Sequence, residues 1–185
     1  MSLFPFDEIN ALKAEGARLK SPDRAIKKDE VDKYIDEVED LFILTYFYGN
    51  REIADQFGLD ILPNEEKARE VINEKFDGKD FKDRLSEYLI SGTGYDIDRV
   101  LDTDAGRIYE AAKFNAAKEA GATTKTWNTM LDDRVRDTHD YLEGVTIPLD
   151  AQFYSFRGGS TYYPRQWGIP EEDCQCRCWL TYSKE

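Results

Sequence analysis

The sequence predicts an α+β protein: an N-terminal helical arm over residues 1–96, then a small aromatic-rich α+β module over residues 97–185. Within the module, 97–120 forms a linking helix and 121–185 the α+β part. Three observations predict this. Apolar residues before Gly121 recur at three-four spacing between helix caps, and those after it do not. Residues 121–185 hold 10 of the 24 aromatic residues, which concentrates core-forming side chains in about a third of the chain. The cysteines, Cys174, Cys176 and Cys178, all lie near the end at every second position.

The arm reads helix by helix. Ser21-Pro22-Asp23 is a helix start, with a Ser cap followed by Pro where no amide donor is needed. Val31, Tyr34, Ile35, Val38, Leu41, Phe42 and Thr45 form one apolar face, and Gly49-Asn50 is expected to end that helix. A short helix then runs to Gly58. Asn64 caps the next, which is expected to reach Asp77-Gly78. "KDFKDRLSEYLISG" closes at Gly92. "DIDRVLDTDAGRIYEAAKFNAAKEAG" has the best helix-forming composition, with Val100, Ile108, Ala112 and Ala116 on one stripe and a stop at Gly121. The run Leu41–Tyr48 is apolar nearly all round its helix. It is either buried within the arm or a partner surface.

After Gly121 the pattern changes. "TTKTWNTM" has strand composition. "DDRVRDTHDYLEG" reads as one short helix stopped by Gly144. "VTIPLD" is an edge strand with Pro148 near its end. "YSFRGGSTYYP" gives two extended pieces around a Gly158-Gly159 turn. Pro170 opens a helical turn. "CQCRCWLTY" alternates as a strand with its thiols on one side. Trp127 and Trp179 are both expected to be buried against the helix of Arg134 to Tyr141.

Composition excludes several roles. A net charge of -13 opposes binding to DNA or an anionic membrane. The start "MSLFPFDEIN" lacks a basic n-region and an apolar h-region. Leu41–Tyr48 is too short to span a bilayer, so no membrane association is expected. With an odd number of cysteines and no export signal, a reducing compartment is expected.

The candidate chemistry lies near the C-terminal end. Helical spacing would set Asp132, Val135, Arg136 and His139 on one face, with Asp132 and Arg136 paired. His139 is the only histidine. Imidazole and thiolates together suit zinc, so His139, Cys176 and Cys178 are candidate ligands, with Cys174 or a water as a fourth. Two alternatives stay open: buried thiols acting as small apolar residues, and a strained Cys-x-Cys disulfide. A Cys nucleophile with His139 as base would make a hydrolase, yet nothing marks an oxyanion hole. Arg134, Arg136, Arg157, Arg165 and Arg177 are diluted by acidic residues as phosphate binders.

Trp127, then "DDRVRDTH", "LEGVTIPLD" and "YYPRQWGIPEEDCQCRCWL", together resemble the phage Mu protein F-like family of head-morphogenesis, or minor head, proteins. The resemblance rests on Trp127, Asp132, Arg134, Arg136, His139, Gly144, Pro164, Cys176, Arg177 and Cys178 in that order. It extends back over "DTDAGRIYEAAKFNAAKEAG", covering roughly residues 97–181. No single marker is specific; their order is. Cys174 is additional to the family's Cys-x-Cys, and Gln175 stands where the family often has Asn. The resemblance implies a virion structural protein, made in the host cytoplasm and placed in the procapsid or head. It implies contacts with the portal and other head proteins, and an effect on DNA packaging or delivery. No catalytic residue and no obligatory cofactor is implied, zinc being the one ion the residues suit. The rival readings are a zinc- or cysteine-dependent hydrolase and a DNA-binding head protein, the latter opposed by the charge.

Overall fold

The computed structural model describes residues 4–20, 25–62 and 64–184. Five helices come first: α1 (Phe6–Leu19), α2 (Lys28–Phe57), α3 (Glu65–Ile72), α4 (Phe81–Ser91) and α5 (Ile97–Glu119). The α+β part follows as β1 (Thr124–Asn128), α6 (Asp137–Asp140), β2 (Thr146–Pro148), β3 (Phe153–Tyr154), β4 (Ser160–Thr161), α7 (Pro170–Asp173) and β5 (Trp179–Ser183). The expected α+β class is the observed one. The expected start at Ser21-Pro22-Asp23 lies outside the described residues.

Helix α2 follows its apolar periodicity. Val31, Tyr34, Ile35, Val38, Leu41, Phe42, Thr45 and Tyr46 are all buried. It does not stop at Gly49-Asn50 but runs to Gly58, which takes the left-handed conformation at φ 65°. Gly49 has another task. A Cβ there would stand 2.5 Å from the Tyr109 carbonyl oxygen and 3.0 Å from the Ala112 Cβ, so glycine is what lets α2 lie against α5. Contact at this crossing outweighs the weak helix propensity of glycine, about 1 kcal/mol. The run Leu41–Tyr48 is arm core: Leu41, Phe42, Thr45 and Tyr46 are buried, and Leu44, at 37% exposure, is the exposed large apolar residue among them.

Asn64 caps α3 as expected, accepting from the Lys67 N–H at 3.1 Å. That helix ends at Ile72 rather than reaching Gly78. Phe76 and Lys79 instead bridge across a turn at Asp77, whose φ is 52°. The turn brings the Phe76 ring under the guanidinium groups of Arg84 and Arg107, at 5.7 and 5.0 Å.

Helix α5 is the centre of the molecule. Val100, Leu101, Ala105, Ile108, Ala112 and Ala116 are buried. The same apolar cluster runs from Ile9 of α1 to Tyr182 of β5. Charged residues on α5 are buried too. Arg84 of α4 donates to both Asp104 carboxylate oxygens at 3.0 and 2.8 Å. Arg107 donates to Asp104 at 3.2 Å and to the Val71 carbonyl at 2.8 Å.

In the sheet, β1 lies between β2 and β5, both antiparallel to it. Trp127 sits opposite Leu180, and the Trp127 N–H turns toward the Val145 carbonyl at 3.0 Å. The backbone of Leu180 therefore points away from β1, as at any sheet edge. Two α5 side chains meet it: Glu110 accepts the Leu180 N–H, and Lys113 donates to the Leu180 carbonyl, each at 3.0 Å. β3 and β4 form the expected hairpin.

Two expectations fail here. Residues 132–136 are a turn rather than helix, and α6 spans Asp137–Asp140 alone. Asp132 therefore does not pair with Arg136 along a helix; Asp132 pairs with Arg177, and Arg136 donates to the Cys174 carbonyl. Residues 174–178 are not strand, because Gln175 has φ 53°, which ends α7 and delays β5 to Trp179. Alternation along β5 then turns Leu180 and Tyr182 inward and leaves Trp179 only half-buried. Trp167, not Trp179 as expected, fills the core position beside Trp127, at 5.8 Å.

Two substitutions test this packing. Gly49→Ala is expected to destabilise by about 1–3 kcal/mol through overpacking, against its favourable helix propensity. A thermal midpoint that stays level or rises would show that α2 and α5 do not touch there. Trp127→Ala is expected to cost about 3–5 kcal/mol in denaturant unfolding, since Trp127 is fully buried.

Candidate metal centre

The site is assembled from α6 and the segment between α7 and β5. Helix α6 is one turn, and His139 of α6 is 1% exposed. Its ring stacks on Trp167 at 5.8 Å and meets Trp127 edge-on at 5.7 Å. That enclosure fixes the plane of the imidazole. Nδ1 faces Cys176 Sγ at 3.4 Å and Cys178 Sγ at 3.5 Å. One donor atom from each of the three residues lies within 4.8 Å of the others. Both cysteines are 2% exposed.

The other ring nitrogen meets a carboxylate. His139 Nε2 lies 2.9 Å from Glu172 Oε2. Glu172, on α7, is 0% exposed. The Thr138 hydroxyl donates to its Oε2 at 2.7 Å and the Ser155 hydroxyl to its Oε1 at 2.8 Å. Burial opposes charge on Glu172, but these two hydroxyls, with His139 and Arg157 beside it, hold its pKa below the usual value. The pair is close but not aligned as a hydrogen bond, so the carboxylate favours a proton on Nε2, with the Nδ1 lone pair toward the sulfurs, through its charge.

The neighbouring backbone is held from two directions. Arg165 donates to the Cys178 carbonyl at 3.3 Å and also to the Cys176 carbonyl. It reaches them by crossing α5 at Gly106, where a Cβ would stand 2.5 Å from the guanidinium carbon. Asp173 accepts from the N–H groups of Trp167, Gly168 and Ile169 at 2.8, 2.8 and 3.2 Å, which folds the loop before α7. Burial pushes the Asp173 carboxyl up to about 6, against the pull of those three donors.

The two thiols differ. Burial disfavours a charged Cys176, yet its contacts with Cys178, His139 and Arg165 outweigh it and lower its pKa. Cys178 is raised, by that same bond to Cys176 and by burial. Cys174 does not join them. It is half-buried, its thiol lies near Thr103, and burial raises its pKa.

The match to the family whose description reads "Phage Mu protein F like protein" covers residues 66–181, from α3 into β5. This chain belongs to the phage Mu protein F like family. The match begins earlier than the resemblance read from residue 97, taking in α3 and α4. Among curated relatives, the minor head protein GP7 of Bacillus phage SPP1 is 34% identical over 83 residues, 43% of this chain and 27% of that protein. The NAD(+)--arginine ADP-ribosyltransferase EFV of Enterococcus faecalis is 36% identical over 84 residues, 43% of this chain and 17% of the transferase. The chain thus spans about a quarter or less of the length of these relatives. No solved structure matches it significantly.

In this phage Mu protein F like chain, the residues singled out from sequence divide into groups. His139, Cys176 and Cys178 come together, and Trp127 forms a wall of their enclosure. Asp132 and Arg177 form an ion pair at the rim. Arg134 is exposed, with its nearest acid, Asp132, at 4.0 Å. Arg136 holds the Cys174 carbonyl. Gly144, at φ 71°, donates its N–H to the Trp127 carbonyl at 2.9 Å. Pro164 is buried just before Arg165. Glu172 and Gly106 were not foreseen, nor was the hold of Arg165 on the cysteine carbonyls. Glu172 carried one signal, an acid four residues before Cys176 in a run that also holds Glu171 and Asp173. Nothing local could have announced Gly106.

A buried trio of soft and borderline donors can hold an ion or pack as thiols. Native protein treated with a thiol reagent is expected to label at Cys174 first, with Cys176 and Cys178 labelling on unfolding. Intact-mass counting of adducts reads this, and Cys174→Ser should abolish native labelling. Equal labelling of Cys176 or Cys178 in the folded state would show that the enclosure is open.

Proposed function

We propose that this protein is a minor head protein of a phage or prophage, acting in head morphogenesis by binding other head components. The observation that carries this reading is the family match over residues 66–181, joined by the similarity to the SPP1 minor head protein. The portal is the partner we favour, with an effect on DNA packaging or delivery and a place in the procapsid or head. None of the described helices is long and apolar enough to cross a membrane. The charge of -13 favours action through protein contacts over direct DNA contact.

Burial supports a role without turnover. Cys176, Cys178 and His139 would be the nucleophile and base of a hydrolase, and all three are enclosed by Trp127, Trp167 and Glu172. The transferase relative does not shift this reading, because the shared segment is 17% of that enzyme's length.

The test is made in a phage that carries the gene. Purified procapsids and heads should contain the tagged chain, and portal protein should co-purify with it from infected cells. Deleting the gene should lower the yield of infectious, DNA-filled heads. Absence from heads with an unchanged titre would overturn the assignment. Presence in heads without portal co-purification would overturn the portal as partner. A gel shift at low salt should show no retarded DNA.

A further inference from the structure

We propose that His139, Cys176 and Cys178 bind one thiophilic divalent ion of the zinc class, with Glu172 as the residue that positions the imidazole. The ion would fasten the segment before β5 to α6. This assignment stands apart from the role in head assembly.

The first support is the spacing of the donors. Around a tetrahedral ion with Zn–S at ~2.3 Å and Zn–N at ~2.0–2.1 Å, nitrogen and sulfur stand about 3.6 Å apart. Nδ1 lies 3.4 and 3.5 Å from the two sulfurs. Hydrogen bonding alone fits this arrangement less well. Nδ1 has a single in-plane lone pair, so two thiols at equal distance cannot both donate along it. Both can share an ion that sits on it.

The second support is independent of the ligands. Glu172 is fully buried, and its carboxylate stands on the ring nitrogen remote from the sulfurs. Carboxylate, imidazole and metal in series is the arrangement that fixes a ligating tautomer and raises the basicity of the ligand. Thr138 and Ser155 in turn fix the carboxylate. Charge at the ligands also balances, since two thiolates neutralise a dication. Three protein donors leave one tetrahedral position for a solvent oxygen.

The ion would join two short segments from different parts of the chain. Residues 174–178 have no strand pairing, and α6 is a single turn. Three coordination bonds there fix both segments against the wall made by Trp127.

The experiment uses the full chain, stripped with a chelator under reducing conditions and titrated with Co(II). We expect one ion per chain, a thiolate-to-metal band in the near ultraviolet, and the visible d–d bands of a tetrahedral site. Zn(II) should displace the cobalt, and chelation should lower the thermal midpoint. Cys176→Ser and Cys178→Ser should lose or halve the thiolate band, and Cys174→Ser should keep it. Glu172→Gln should weaken affinity about 10–100-fold while the band remains. If the cysteine variants fail to fold, the wild-type titration decides alone: no stoichiometric binding, or binding without a thiolate band, overturns the site. An unchanged affinity in Glu172→Gln overturns the positioning role.

Discussion

Helix α5 must satisfy buried charge along its length, and much of the molecule follows from that constraint. Asp104, Arg107, Glu110 and Lys113 are all nearly inaccessible on α5. An unpaired charge in such a place would cost several kcal/mol, so each is met from another element. Arg84 of α4, the Val71 carbonyl and Glu74 meet the first pair. The backbone of Leu180 meets the second. The arm and the sheet are thus both anchored on one helix. Gly49 and Gly106 serve the same helix by lack of bulk, one admitting α2 and the other admitting Arg165.

The site inherits its rigidity from this arrangement. Arg165 crosses α5 to hold the carbonyls of Cys176 and Cys178, so the thiols are aimed by their backbone before any ion arrives. His139 is aimed by aromatic walls and by Glu172. Side chains that are locked by their neighbours lose little freedom on ligation, which is what a tight site of so few donors needs.

Much of the architecture was legible in the sequence. The apolar periodicity of α2, the Asn64 cap, the Gly92 and Gly121 stops, the strand around Trp127 and the hairpin at Gly158-Gly159 rest on local rules. Local rules also produced the errors. Gly49 looked like a helix stop because glycine usually is one, and "DDRVRDTHDYLEG" looked like a helix because its composition allows it. Gly49 has no local reason to behave otherwise. Gly49 is decided by the Tyr109 carbonyl, sixty residues away, whereas the Asp132 side chain accepts the Arg134 N–H within the turn and also pairs with Arg177.

By itself the sequence determined the residue types at the centre and their order: one imidazole, two thiols at every second position, and a family signature that holds them in sequence. It also determined the net negative charge and the aromatic supply for a compact module. Only the tertiary structure decided that Cys174 stands apart, that Trp167 rather than Trp179 closes the core, and that Glu172 backs the imidazole. The physical reason is range. Caps, periodicity and turn residues act over about four residues, whereas the pairing of a buried charge or the convergence of donors on one point depends on which distant segments the core brings together.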